Sequence, residues 1–213
     1  MEIIYRGAEA ILYLDFIEGE KVLVKERIEK KYRIKEIDEK LRKSRTRKEV
    51  NLLREARSVG IATPQVFLVD EKNHKIVMEF IEGIRLKEFL NQAKKEEIEK
   101  VCFELGREIG KLHSSGIAHG DLTTSNIILK ENKLYFIDFS LGEFSRRIED
   151  FGIDLNLLYE ALKAAHFKIL KLCWDNIVKG YKKEYKNAEE VLRKVEEIEK
   201  RARYMERKNK REK

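Results

Sequence analysis

Residues 2–6 and 10–16 are short apolar runs with Gly7 between them, and Gly19-Glu20 punctuates the chain before Val22-Leu23-Val24. Short apolar runs bounded by turn formers predict three strands. From Asp38 to Ser58 the apolar positions Leu41, Val50, Leu52, Leu53 and Ala56 are scattered among charges. Asp38 is placed to cap and Gly60 to stop a helix, so this stretch predicts one long, exposed helix. Val66-Phe67-Leu68-Val69 and Ile76-Val77-Met78 predict two further strands across a turn at Asp70–Asn73.

Gly83 marks a change of texture. A short helix is expected near Leu86–Leu90 and a longer one from Glu96 to His113, where Ile98, Val101, Cys102, Leu105, Ile109 and Leu112 keep a helical period. Two small strands, Ile127–Lys130 and Leu134–Ile137, follow a polar loop, and the chain from about Asp150 reads as helical. The expected architecture is α+β. A five-strand sheet lobe with one long helix spans 1–80, and a helical lobe spans 81–213.

Composition narrows the class. Of the 213 residues 42% are apolar and 40% charged, which excludes a disordered or a membrane chain. The longest stretch without a formal charge is Ser58–Val69, too short to span a bilayer. Glu2, Arg6, Glu9 and Asp15 leave no secretory signal in the first twenty residues, and Cys102 and Cys173 make neither a disulfide framework nor a metal-ligand pair. The expectation is a soluble, intracellular protein. Charge is unevenly spread. Residues 25–48 hold 12 basic and 5 acidic side chains and residues 200–213 hold 8 and 2, so with a formal net charge of +7 the remainder is acidic. Two confined basic segments suit a polyanion or acidic partner.

The strongest chemical signal is His119-Gly120-Asp121-Leu122-Thr123-Thr124-Ser125-Asn126, followed by Ile137-Asp138-Phe139-Ser140. Asn126 and Asp138 supply hard oxygen ligands of the kind Mg²⁺ takes, and Asp121 is spaced to orient an attacking hydroxyl or water. Here the sequence resembles the protein-kinase-like superfamily, with its His-Arg-Asp loop and Asp-Phe-Gly metal motif. The resemblance implies a bilobal kinase-like fold. It also makes Val22-Leu23-Val24-Lys25 the strand lysine that meets the α- and β-phosphates, with Glu49 as its carboxylate partner and Glu55 as the alternative. Met78-Glu79-Phe80-Ile81 becomes the hinge, where the carbonyl of Glu79 and the amide of Ile81 pair with adenine and Leu23 and Ile128 sandwich the ring.

Departures from that pattern are informative. Gly7-Ala8-Glu9-Ala10 replaces a glycine-rich phosphate loop, Gly120 replaces the loop arginine, Thr123 replaces a loop lysine, and Ser140 replaces the last glycine of the metal motif. No Ala-Pro-Glu follows, so ordinary peptide docking is not expected. Together with Lys25-x-Arg27…Lys31-Tyr32-Arg33, Arg45-Thr46 and the basic tail, these features resemble the Bud-thirty-two family, called PRPK in animals, over essentially the whole chain.

That resemblance implies a cytoplasmic, Mg²⁺- (or Mn²⁺-) dependent ATPase and atypical Ser/Thr kinase. Such a protein takes ATP to ADP, phosphorylates itself, and serves the threonylcarbamoyl-transferase subunit of the KEOPS complex, to which it is fused in some archaea. It further implies a Cgi-type subunit on the small lobe and tRNA along residues 25–48 and 200–213. The competing readings are a stand-alone protein or small-molecule kinase, and a non-catalytic nucleotide- or tRNA-binding module. Asp154 is expected to hold the catalytic-loop backbone, and His113, His119, Trp174 and Tyr181 to pack rather than react.

Overall fold

The computed structural model describes residues 2–211, with side chains through residue 201. Strands β1 (Glu2–Arg6), β2 (Ala10–Ile17) and β3 (Glu20–Arg27) form an antiparallel meander. The β2–β3 turn puts Glu18 at φ 50° and Gly19 at φ 86°, the double left-handed geometry that matches the twist of a two-residue hairpin. Strands β4 (Val66–Asp70) and β5 (Lys75–Glu79) complete a five-strand sheet in the order β1-β2-β3-β5-β4.

Helix α1 (Lys35–Ser58) crosses this sheet. It begins before the expected cap: Asp38 lies within its first turn, fully buried, between Arg42 Nε at 2.7 Å and Arg33 Nη1 at 3.4 Å. A buried ion cluster, not a capping hydroxyl or carboxylate, therefore starts the helix. Its end follows expectation. Gly60 takes φ +89°, the Ile61 amide reaches back to the Ala56 carbonyl and the Gly60 amide to that of Arg57, closing a Schellman motif.

Beyond β5 come a two-residue strand β6 (Ile84–Arg85), helices α2 (Leu86–Gln92) and α3 (Lys95–Ser114), strand β7 (Ile117–Ala118), the β8 (Ile127–Lys130) and β9 (Lys133–Phe136) hairpin, and strand β10 (Glu143–Phe144). Helices α4 (Ile148–Ala165), α5 (Leu170–Glu184) and α6 (Ala188–Arg211) follow. The two-residue strands escape a sequence reading because they carry no alternation; β7 pairs with β10, and β6 with β8. Helices α3 and α5 cross backbone to backbone. A Cβ at Gly106 would lie 2.0 Å from the Ile177 carbonyl oxygen, and one at Gly180 would lie 2.0 Å from that of Phe103. One continuous core links these helices to Leu52, Leu53 and Ala56 of α1, so α1 belongs to both parts of the molecule. Tyr181 is fully buried, as expected, while Trp174 packs edge-on against Tyr159. The basic tail from residue 200 continues helix α6; its side chains beyond residue 201 lie outside the described residues.

Candidate nucleotide and metal site

Alternation along β3 creates the site. Val22 and Val24 pack with Tyr13 on one face of the sheet, which turns Leu23, Lys25 and Arg27 to the other, toward α1 and the cleft. Lys25 is 6% exposed. Its ammonium donates to Glu49 Oε1 at 2.6 Å, Asp138 Oδ1 at 2.7 Å and Ser140 Oγ at 2.7 Å. Burial pulls the Lys25 pKa down, but the adjacent Glu49 and Asp138 carboxylates outweigh it and hold the ammonium above its ordinary range. Glu55, the alternative partner, is exposed on α1. The second Glu49 oxygen accepts from Arg27 Nη2 at 2.6 Å.

Asp138 follows β9 with a left-handed backbone, φ 63°. Burial raises its pKa, yet the Lys25 ammonium and the Ser140 hydroxyl and amide bring it down to about 2. The hydrogen bonds to Asp138 among the described residues all reach Oδ1. Asn126 donates through Nδ2 to the Asp121 carbonyl at 2.9 Å and to Asp121 Oδ2 at 2.8 Å. Asn126 thus fixes the Asp121 carboxylate with its amide nitrogen. Asp138 Oδ2 and Asn126 Oδ1 remain as hard oxygen donors on the wall of one cavity, a set that fits a Mg²⁺ ion completed by water and phosphate oxygens.

The loop carrying Asp121 is held from below. Asp154, on α4, accepts the His119 amide at 2.5 Å and the Gly120 amide at 2.8 Å. His119 is buried, which lowers its pKa; its Nε2 bonds the Ile137 carbonyl and its Nδ1 accepts the Asp121 amide. The imidazole is therefore a neutral brace between the two motifs, and His113 is likewise buried, stacked on Phe151 and bonded to the Tyr181 hydroxyl. Gly120 is required by packing: its φ is +79°, and a Cβ would meet the Leu141 carbonyl at 2.2 Å. The segment after Asp138 thus lies directly on the loop that carries Asp121, with β10 paired to β7.

Two adjoining cavities share Tyr5, Leu12, Asp121 and Asp138. The inner one, about 380 Å³, brings together Leu23, Lys25, Glu49, Met78, Glu79, Ile81, Asp121, Asn126, Ile128 and Asp138. The outer one, about 250 Å³, is walled by Gly7, Ala8 and Glu9 with Arg27 and Ser140. Apart from Glu55, every nucleotide- and metal-site residue singled out from the sequence lies on one of these walls. The loop at residues 7–9 differs from a phosphate cradle in two respects: the Gly7 amide donates to the Ala10 carbonyl at 2.9 Å, and Glu9 turns its carboxylate to Arg45. Pro64 and Arg85 also line the inner cavity, and no motif marks them. Arg27 and Ser140 are equally hidden as site residues, although Arg27 shares the parity of Lys25 on β3.

A strand lysine clamped by a helix glutamate and a metal-motif aspartate, under a five-strand sheet, defines the protein-kinase-like class. The match to solved structures agrees in fold: the Rio2 kinase–ADP/Mg²⁺–phosphoaspartate complex from Chaetomium thermophilum superposes with a TM-score of 0.64 at 15% identity, covering 98% of this chain and 72% of that one. The family model described as RIO1, RIO domain, matches residues 13–141. Within that class the chain belongs to the Bud32 family: it is 53% identical to the KEOPS complex subunit Bud32 of Pyrococcus abyssi, over 97% of this chain and 98% of that protein. It is also 44% identical to a probable bifunctional tRNA threonylcarbamoyladenosine biosynthesis protein of Methanosarcina mazei, matching 95% of this chain but 36% of the longer protein. No helix among the described residues is long and apolar enough to cross a membrane.

Proposed function

We propose that this chain binds ATP and Mg²⁺ in the cleft between two lobes, residues 1–80 and 81–213, and cleaves or transfers the terminal phosphoryl group as an atypical Ser/Thr kinase and ATPase. The observation that carries this reading is the three-way contact of the Lys25 ammonium with Glu49, Asp138 and Ser140, beside an Asp121 fixed by Asn126. Leu23 and Ile128 would hold the adenine between them, against Met78, with its polar edge on the Glu79 carbonyl and the Ile81 amide. Lys25 would meet the α- and β-phosphates and Glu49 would keep it aimed. Asn126 and Asp138 would hold Mg²⁺, which supplies charge neutralisation on the phosphates when bound. Asp121 would orient the attacking hydroxyl or water and accept its proton. Ala8 and Glu9 would offer backbone amides to the terminal phosphate, whereas that of Gly7 is already paired with Ala10.

The biological setting we infer is threonylcarbamoyladenosine modification of tRNA within the KEOPS complex, in the cytoplasm, with ADP as product. The partners are the threonylcarbamoyl-transferase subunit, a Cgi-type subunit on the small lobe, and tRNA along residues 25–48 and 200–213. Near-full-length similarity to a KEOPS subunit and to part of a bifunctional biosynthesis protein supports this setting. Incubating the chain with γ-labelled ATP and Mg²⁺ tests the chemistry. Label is expected in phosphate or in the protein itself, with loss of both in Asp121→Asn; equal turnover by that variant removes Asp121 from the reaction. Truncation after Glu199 should flatten the salt dependence of tRNA binding by about one unit for each phosphate that the tail neutralises, while an unchanged slope removes the tail from the tRNA surface.

A further inference from the structure

We infer that Arg27 is a second phosphate-binding cation of the cleft, a partner to Lys25 that reads the terminal phosphate of the nucleotide. This rests on the reading of the cleft as an ATP site. Arg27 lies two residues after Lys25 on the same face of β3 and lines the outer cavity with Asp121, Asp138 and Ser140. The residue is 4% exposed, and a guanidinium has five N–H donors. The guanidinium's one hydrogen bond among the described residues runs from Nη2 to Glu49 at 2.6 Å. Nε is buried without a partner, and Nη1 stands 3.8 Å from Glu9, beyond hydrogen-bond reach.

A buried cation with an unpartnered donor is costly in a folded protein unless an anion completes its shell. Glu9 does not do so, because Arg45 holds its carboxylate. Nor does the loop at residues 7–9 offer a full set of amides to the end of a polyphosphate, with the Gly7 amide committed to Ala10. The catalytic loop has Thr123 where a lysine would otherwise bring positive charge. The outer cavity has carboxylates at Glu9, Asp121 and Asp138, the first of them held by Arg45, and Arg27 is the guanidinium on its wall. A planar, permanently charged fork anchored on one side by Glu49 is suited to a phosphate oxygen on the other.

The competing role is a brace that only holds Glu49 in place for Lys25. The two are separated by which phosphate they serve, since a brace acts through Lys25 on the α- and β-phosphates that ATP and ADP share. Affinities of ATP, ADP and AMP, each with Mg²⁺, would be measured for the full chain and for Arg27→Met and Arg27→Lys. Without its charge-assisted hydrogen bond to the terminal phosphate, Arg27→Met should bind ATP about 10–100-fold more weakly while ADP and AMP change little. Equal weakening of ATP and ADP overturns the assignment in favour of the brace. Should Arg27→Met not fold, the wild-type Arg27 Nε–H resonance, assigned with Arg27→Lys, gives the same answer: ATP should shift it and ADP should not, and no difference between them overturns the proposal. A wild-type chain that binds no ATP would bring down the reading of the cleft itself, whereas ATP binding with an unchanged ATP-to-ADP ratio brings down only the role of Arg27.

Discussion

The sheet part and the helical part of this molecule are held together by different physics. In the helical part a single apolar core runs from Leu52 to Val195, and α3 and α5 approach so closely that Gly106 and Gly180 admit no side chain. In the sheet part the apolar clusters are small, Tyr13 with Val22 and Val24, and Val50 with Ile76 and Met78. Between and around them run ion pairs: Lys25–Glu49–Arg27, Arg45–Glu9, Arg42–Asp38, Arg47–Glu71 and Lys75–Glu26. The difference is instructive. Dispersion between close-packed backbones fixes one arrangement, and that part carries Asp121, Asn126 and the Asp154 brace. Ion pairs lining a cleft can exchange partners when an anionic ligand enters, and that part carries Lys25, Glu49 and Arg27.

The contrast makes opposite demands on substitution. Gly106→Ala should be the most damaging small change. Helix propensity alone favours alanine by about 1 kcal/mol, yet its Cβ would fall on the Ile177 backbone, and overpacking of that kind costs about 1–3 kcal/mol or more. Denaturant unfolding of that variant reads the sign directly, and stabilisation would mean that α3 and α5 are not packed backbone to backbone. Glu9→Gln should be far milder. Its partner Arg45 is 35% exposed and Glu9 is 41% exposed, so about 0–1 kcal/mol is expected, vanishing near 1 M salt. A larger, salt-independent loss would make the sheet part as rigid as the helical one.

Protonation sharpens the comparison least in size and most in locality. Asp138 has its pKa lowered from 3.8 to about 2, so its contribution to stability is complete above about pH 4 and disappears as pH falls toward 2. Lys25 is raised above 10.5, so its contribution holds below that value and is lost as pH rises past the raised one. Both groups stay charged between those limits. Because the Asp138 side chain is 44% exposed, solvent screens the pair and the amplitude is small. The stability difference between wild type and Asp138→Asn should therefore be flat around neutrality and shrink only below about pH 4; a break near pH 6 would place another group in control.

Much of this was legible in the sequence, for identifiable reasons. The strands of the sheet showed as apolar runs between turn formers, and Asp121, Asn126 and Asp138, singled out by their spacing, come together on the wall of one cavity. The helix start at Lys35 was not legible, because Asp38 looks like a cap and is instead an acid buried between arginines from both sides. Ser140 read as a departure from glycine. Only the fold reveals it as the third partner of Lys25 and a donor to Asp138 at 2.5 Å. Arg27 was masked by its basic neighbours at residues 30–33, since charge density along a sequence says nothing about which cation turns inward. Gly120 carried a signal of another kind: in the sequence it stands where a loop arginine is expected, and the backbone of Leu141 is what demands a glycine there.

One cleft is proposed to gather a nucleotide and a divalent cation on Lys25, Asn126 and Asp138. Calorimetric titration of ATP into the chain with and without Mg²⁺, repeated with Asp138→Asn, tests it most directly. Mg²⁺ should strengthen ATP binding in the wild type, and that gain should be lost in the variant while binding without Mg²⁺ is retained. Equal gains from Mg²⁺ in both proteins would contradict the account.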